Sequence, residues 1–275
     1  MTWFHSTLYG FLAGIADILP VSAPAHTALL KALMGEGSVP PMMQLMMDIG
    51  ILAALYYCCQ NHIIRMMRAV RLSRIPKRRR KRPLDARSLM ELQMLKYMVT
   101  PVVLALLFHS RVSALTDNLL AMAGLLLING ILLYFPQFLP GGNKDARNMT
   151  PVDSLLVGLG GAAGVLPGIS SVGAAASLTI ARGGDKRFAL DMALLLAMAV
   201  SAVRILMDFF GIFATGLQLG GFVGFLSAVS AGIAAFGGVF LGVKVMRKMA
   251  ERIGFAPFAL YSWGAALFEI GRAHV

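Results

Sequence analysis

Two short stretches place groups that can hold an anion inside an otherwise apolar chain. GIADILPVSAPAH (residues 14–26) offers a carboxylate, a hydroxyl and an imidazole at Asp17, Ser22 and His26. GAAGVLPGISSVG (161–173) offers Ser170 and Ser171 beside Gly168 and Gly173. A Pro-Gly-x-Ser-Ser run that opens a helix suits an anion cradle. Its small residues allow close approach, its backbone amides around Gly168 and Gly173 are expected to be free, and the helix N-terminus presents N–H groups. The same small residues could equally serve only to pack helices closely. The stretches align at Gly14 with Gly161, Ala16 with Ala163, Leu19 with Leu166 and Pro20 with Pro167, and Ser22 meets Ser170 after a one-residue shift. That repetition favours a site, because paired broken helices converge on one in inverted-repeat folds. Arg204, in the middle of LLLAMAVSAVRILMDFFG (194–211), is a further candidate. A charge at that depth needs a function or a partner, and Asp208, one turn on, is a candidate ion-pair partner.

The elements that hold these residues follow from composition. The 275 residues are 57% hydrophobic and only 14% charged, the balance of an integral membrane protein. A bilayer core needs roughly 20 apolar residues as helix. Six segments are expected to cross: 42–60, 93–109, 118–137, 189–213, 220–244 and 255–271. The stretches 7–34 and 152–181 are apolar but interrupted, and read as re-entrant helix pairs, since broken backbone survives at membrane depth only under a cover of protein or water. The expected fold is therefore an all-α membrane protein of six transmembrane helices and two re-entrant pairs in an inverted repeat. Residues 1–137 form the first unit, with a basic cytoplasmic loop at 61–92, and 151–275 form the second.

The net charge of +12 is concentrated: eleven of the 25 Lys and Arg lie between Arg65 and Arg87, including KRRRKR at 77–82. Between apolar spans, that is a cytoplasmic topology signal with anionic-lipid contact rather than a nucleic-acid surface. Placing 61–92 in the cytoplasm puts 138–150, 182–188 and 244–254 there too, and leaves 110–117, 214–219 and the C-terminus outside. The N-terminal MTWFHSTLYG has no basic region and does not look like a cleaved signal. Cys58 and Cys59 are adjacent, which argues against a disulfide framework or metal site. The 18 methionines cluster with neither His nor Cys and read as packing. Asp48 either lines the site or pairs with a helix end. Asp191 reads as an N-terminal helix charge, and His5 and His109 as interfacial residues.

Together these segments resemble the undecaprenyl pyrophosphate phosphatase family, the bacitracin-resistance membrane phosphatases. DILPVSAPAH resembles the family's E-F-L-P-V-S-S-T-G-H, and VLPGISSVGAA its W-P-G-F-S-R-S-G-A-T. TPVVLALLFHS (100–110) and RIGFAPFALY (252–261) match family segments outside the site. The resemblance implies a bacterial plasma-membrane enzyme that removes a phosphate from the C55 lipid carrier of wall synthesis, with Mg²⁺ or Ca²⁺. It implies His26, Asp17 and Ser22 as catalytic residues, His26 as nucleophile or general acid/base, and Asp17 as the metal ligand. Phosphate falls to Ser170, Ser171, Gly168 and Gly173, with Arg204 able to add charge from a neighbouring helix. The partners implied are a polyprenyl (di)phosphate lipid, the membrane and, in a homodimer, a second copy of the chain.

The departures from the family pattern are chemical. Its two motif acids, four apart, are here Ala13 and Asp17, and its motif Arg is Ser171. The first motif's second serine is Ala23, and the second motif's Thr is Ala175. Loss of the arginine removes a bidentate phosphate clamp, and loss of a carboxylate weakens a Mg²⁺ site. Two alternatives of the same fold stay open: a polyprenyl-phosphate translocase, or a non-catalytic lipid-phosphate binder.

Overall fold

The computed structural model describes residues 2–35, 38–80, 82–108, 118–216, 221–252 and 254–273. Helices account for almost all of it. In chain order they are α1 (Trp3–Ile18), α2 (Ala23–Leu33), α3 (Pro41–Ser73), α4 (Ala86–Leu107) and α5 (Leu119–Tyr134). Then follow α6 (Pro151–Ala163), α7 (Ser171–Ala181), α8 (Lys186–Thr215), α9 (Gly221–Arg252) and α10 (Ala256–Ala273). No named strand occurs among the described residues. Five of the six expected spans are long and apolar enough to cross a membrane. The sixth, α10, is helical over 18 residues but carries Glu269 and Arg272, and is not among those five. His109 lies outside the described residues.

Helix starts are set by polar caps. Asp85 accepts from Ser88 N at 3.1 Å to open α4, and Asn118 from Ala121 N at 3.0 Å to open α5. Thr150 and Asp153 form a reciprocal capping box on α6. Each supplies an acceptor to amides that have no partner within the helix. At α8 the cap is Asp185, which accepts from Arg187 N and Phe188 N. Asp191 was expected to be that N-terminal charge. It instead stands within the helix, 3.4 Å from His62 Nε2 and 3.9 Å from Arg247 Nη2.

The expected basic loop at 61–92 is shorter than the charge pattern suggested. Helix α3 continues to Ser73 and α4 begins at Ala86. Arg and Lys are good helix formers, so the span carries its first basic residues out of the apolar zone on a continuous helix.

Both interrupted stretches are helix–break–helix. Helix α1 lies along α9 and α6 along α4, while α3 meets α8 and α5 meets α10. Glycine permits the closest approaches. A Cβ at Gly14 or Gly238 would collide with the backbone of the opposite helix, which is how small-residue stripes bring membrane helices together. The core runs through these contacts, from Tyr9 and Met47 to Leu194 and Val239.

Candidate functional site

The first break spans Leu19–Ser22. Leu19 turns to an extended conformation, and Ser22 takes φ 64, the only non-glycine residue with positive φ among those described. Such a conformation costs an L-residue about 1–2 kcal/mol and needs surrounding bonds to hold it. Those bonds are present. Ser22 is fully buried, its Oγ accepts from Gly168 N at 2.8 Å, and its carbonyl accepts from His26 Nδ1 at 2.8 Å.

The second break ends at Ser170, which caps α7 by accepting from Gly173 N at 3.1 Å and donates to Leu19 O at 3.3 Å. Gly168, at φ 121, has room for no side chain: a Cβ there would come within 2.9 Å of Leu126 N and Met122 O. The Cβ position of Gly173 lies 2.6 Å from Pro20 Cβ. The two breaks therefore touch.

This contact corrects the expectation of free amides at Gly168 and Gly173. Both N–H groups already have acceptors, Ser22 Oγ and Ser170 Oγ. They join the breaks to each other and are not open to a ligand. A residue passed over in the sequence completes the junction. Asn129, fully buried in α5, donates to Pro20 O at 3.2 Å and Ser262 Oγ at 3.0 Å, and accepts from Ser170 N at 2.9 Å. Its signal was available: a lone amide inside the apolar run LLLINGILLY.

A cavity of about 680 Å³ opens beside the junction. Asp17, Ser170, Ser171 and Arg204 line it, as do Asp48 and Lys31. Arg204 reaches across from α8 to α1. Its Nη1 donates to Asp17 Oδ1 at 2.9 Å and its Nη2 to Asp17 Oδ2 at 3.1 Å, a bidentate fork. Nη2 also stands 3.1 Å from Asp48 Oδ1 and donates to Ser201 Oγ at 3.4 Å. Gln44 Nε2 donates to the other Asp48 oxygen at 3.3 Å. Thus Arg204 pairs with acids of two other helices; Asp208 of its own helix stands beside Asp48. Asp48 does line the site.

Lys31 has no ion pair among the described residues, although it lines the same cavity. Ser170, Ser171 and Val172, the cap and first two positions of α7, face the cavity with the positive end of the helix dipole. The Ser171 hydroxyl is tied to Gly161 O at 2.8 Å.

Ser22 and His26 are not among the residues lining the cavity. His26 lies toward α10, where its Nε2 is 2.6 Å from Tyr261 Oη and the rings stack. Because a carbonyl can only accept, Nδ1 carries the proton, and in the neutral ring Nε2 accepts from the tyrosine. Tyr261 belongs to RIGFAPFALY, a segment the sequence placed outside the site.

The donor set does not fit a divalent ion as arranged. Both Asp17 oxygens are held by the guanidinium. Among the described residues, no group of three or more His, Cys, Asp or Glu is placed to hold a metal.

Comparison with known proteins decides the family. The family model described as Bacitracin resistance protein BacA matches residues 6–268. The chain belongs to the BacA family. Its similar relatives within that family's length include the undecaprenyl-diphosphatase of Methanobrevibacter smithii, 27% identical over 271 residues, covering 96% of this chain and 95% of the relative. The undecaprenyl-diphosphatase of Treponema denticola is 25% identical, covering 95% and 94%. Undecaprenyl-diphosphatase 3 of Bacillus cereus is 23% identical, covering 97% and 96%. This BacA-family chain, with its five long apolar helices, is a multi-pass membrane protein.

Proposed function

We propose that the chain is an undecaprenyl-diphosphate phosphatase-like membrane protein that takes the phosphate head of a polyprenyl (di)phosphate into the 680 Å³ cavity. The observation that carries this reading is the convergence of Arg204, Lys31 and the N-terminus of α7 on one cavity. Guanidinium and ammonium groups bind phosphate oxygens by charge-assisted hydrogen bonds, and a helix N-terminus adds a favourable dipole. Apolar residues such as Met47, Val165 and Val200 complete the walls and suit the first prenyl units. The volume is that of an ordinary ligand pocket.

In the hydrolytic form of this reading, His26 acts on the diphosphate through Nε2, its unprotonated nitrogen. The ring must first release Tyr261 and turn toward the cavity. A water oxygen bonds to the terminal phosphorus as that phosphorus loses its bond to the bridging oxygen. His26 Nε2 takes the water's proton, and Arg204 offsets the charge on the bridging oxygen that leaves. Inorganic phosphate and the lipid monophosphate result. A specific observation favours the second reading, translocation or non-catalytic binding. Ser22 is buried and bonded, His26 is held on the α10 side, and Asp17 is tied to Arg204.

By the positive-inside rule, the basic ends of α3 and α4 lie in the cytoplasm of a bacterial cell and the C-terminus lies outside. The homodimer expected alongside gains no support from these features. The deciding measurement is phosphate release from undecaprenyl diphosphate by purified protein, beside His26→Ala. Release that disappears in the variant supports hydrolysis. Lipid binding without release leaves translocation or silent binding as the function, and absence of both overturns the proposal.

A further inference from the structure

The BacA-family resemblance brings an expectation of Mg²⁺ or Ca²⁺, and Arg204 stands in its way. A divalent ion in such a site joins carboxylates to the substrate's phosphate. Here a guanidinium already occupies both oxygens of Asp17 at 2.9 and 3.1 Å and lies 3.1 Å from Asp48. Asp48 is almost wholly buried, with 1% of its side chain exposed, whereas 27% of Arg204 is exposed. Asp17, Asp48 and Arg204 all line the cavity, and the guanidinium side chain is the most exposed of the three. A guanidinium has five N–H donors. Nε is buried and Nη2 is shared among Asp17, Asp48 and Ser201, whereas Nη1 makes a single bond, to Asp17, and keeps a second N–H. The guanidinium is a charge held by a covalent tether and always protonated.

We infer that Arg204 is the resident cation of this pocket. It takes the place a divalent metal would fill, offsets one of the two negative charges of Asp17 and Asp48, and with Lys31 on the same cavity meets the lipid phosphate. Lipid-phosphate binding is then independent of metal. The same acids that would ligate an ion instead position the guanidinium, so Asp17 is a positioning residue rather than a metal ligand. The lipid arm of the inference rests on the proposed function, and the metal arm does not.

The test uses the full chain in detergent with two probes, undecaprenyl phosphate and Ca²⁺. The expected result is equal lipid affinity in chelator and in millimolar Mg²⁺ or Ca²⁺. Arg204→Gln should weaken lipid binding by about tenfold or more in both conditions, the loss of a charge-assisted hydrogen bond. Arg204→Lys, which keeps the charge without the fork, should bind more weakly than the parent and remain indifferent to metal. It also covers the case in which Arg204→Gln fails to fold. Calcium titration should show no saturable uptake that Asp17→Asn abolishes. Lipid binding that collapses in chelator and returns with Ca²⁺ overturns the inference, as does calcium uptake that depends on Asp17. Full affinity in Arg204→Gln overturns it as well. If undecaprenyl phosphate fails to bind under any condition, the proposed function falls, and the calcium titration still decides whether Arg204 replaces a metal.

Discussion

The two breaks begin alike in sequence and end differently in structure. The first, Leu19–Ser22, has no glycine and turns on a serine at φ 64; the second turns on Gly168 at φ 121 and closes with a side-chain cap. Helix α2, after the first break, buries only Ala25, and Ser22 makes no side-chain cap to it. Helix α7, after the second, buries most of its eleven residues, from Val172 to Ile180. The second break is thus a fixed wall. The first is held mainly through Ser22, His26 and Asp17, each bonded to a different part of the molecule. The same device of a proline between small residues yields a scaffold where the following helix is enclosed. It yields an externally tethered segment where that helix is mostly half-buried.

The sharpest way to break this comparison is to exchange what each turn requires. Gly168→Ala forces a side chain into positive φ against the backbone of α5, at a cost of about 3 kcal/mol or more. Its thermal unfolding midpoint in detergent should fall furthest of the variants here, and an unchanged midpoint would remove the claim that the second break is rigid. Asn129→Leu comes next. It leaves the Ser170 amide and the Pro20 carbonyl buried without partners, at about 2 kcal/mol, and chemical denaturation should show the loss. Ser22→Ala keeps the strain and loses the bond to Gly168, a cost of about 1 kcal/mol. Ser22→Gly loses the bond but relieves strain of about 1–2 kcal/mol, so it should match or exceed the parent in stability. Equal destabilisation by both would show that Ser22 is unstrained. Smallest is Tyr261→Phe, at about 0.5 kcal/mol. Its value lies in activity: if His26 must leave Tyr261 to act, phosphate release should rise or hold, while a fall would place the tyrosine in the reaction.

Periodicity and composition were enough to place five of the six expected spans and both breaks, because a bilayer sets helix length and penalises exposed backbone. Arg204 was legible for the same reason. Its partners were not, since Asp17 lies 187 residues away and only the packing of the helices brings it within reach. The direction of His26 was hidden too. It depends on the backbone of Ser22, and a left-handed serine has no signature in the sequence. Asn129 was overlooked although one amide in an apolar span is informative. That amide joins both proline breaks. The continuation of α3 to Ser73 was misjudged because a run of charge was read as a loop.

The Asn129 junction also bears on how the protein is made. Its groups come from Pro20, Asn129, Ser170 and Ser262, so its parts emerge from the ribosome almost a whole chain apart. No nascent fragment that ends before α10 can complete it. Until then the contact between Asn129 and Ser262 is missing, although the bonds of Asn129 with Pro20 and Ser170 can form. Helix α10 is therefore the last of the junction's helices to be made, and truncations within it should leave the centre of an otherwise inserted protein open and exposed to quality-control proteolysis.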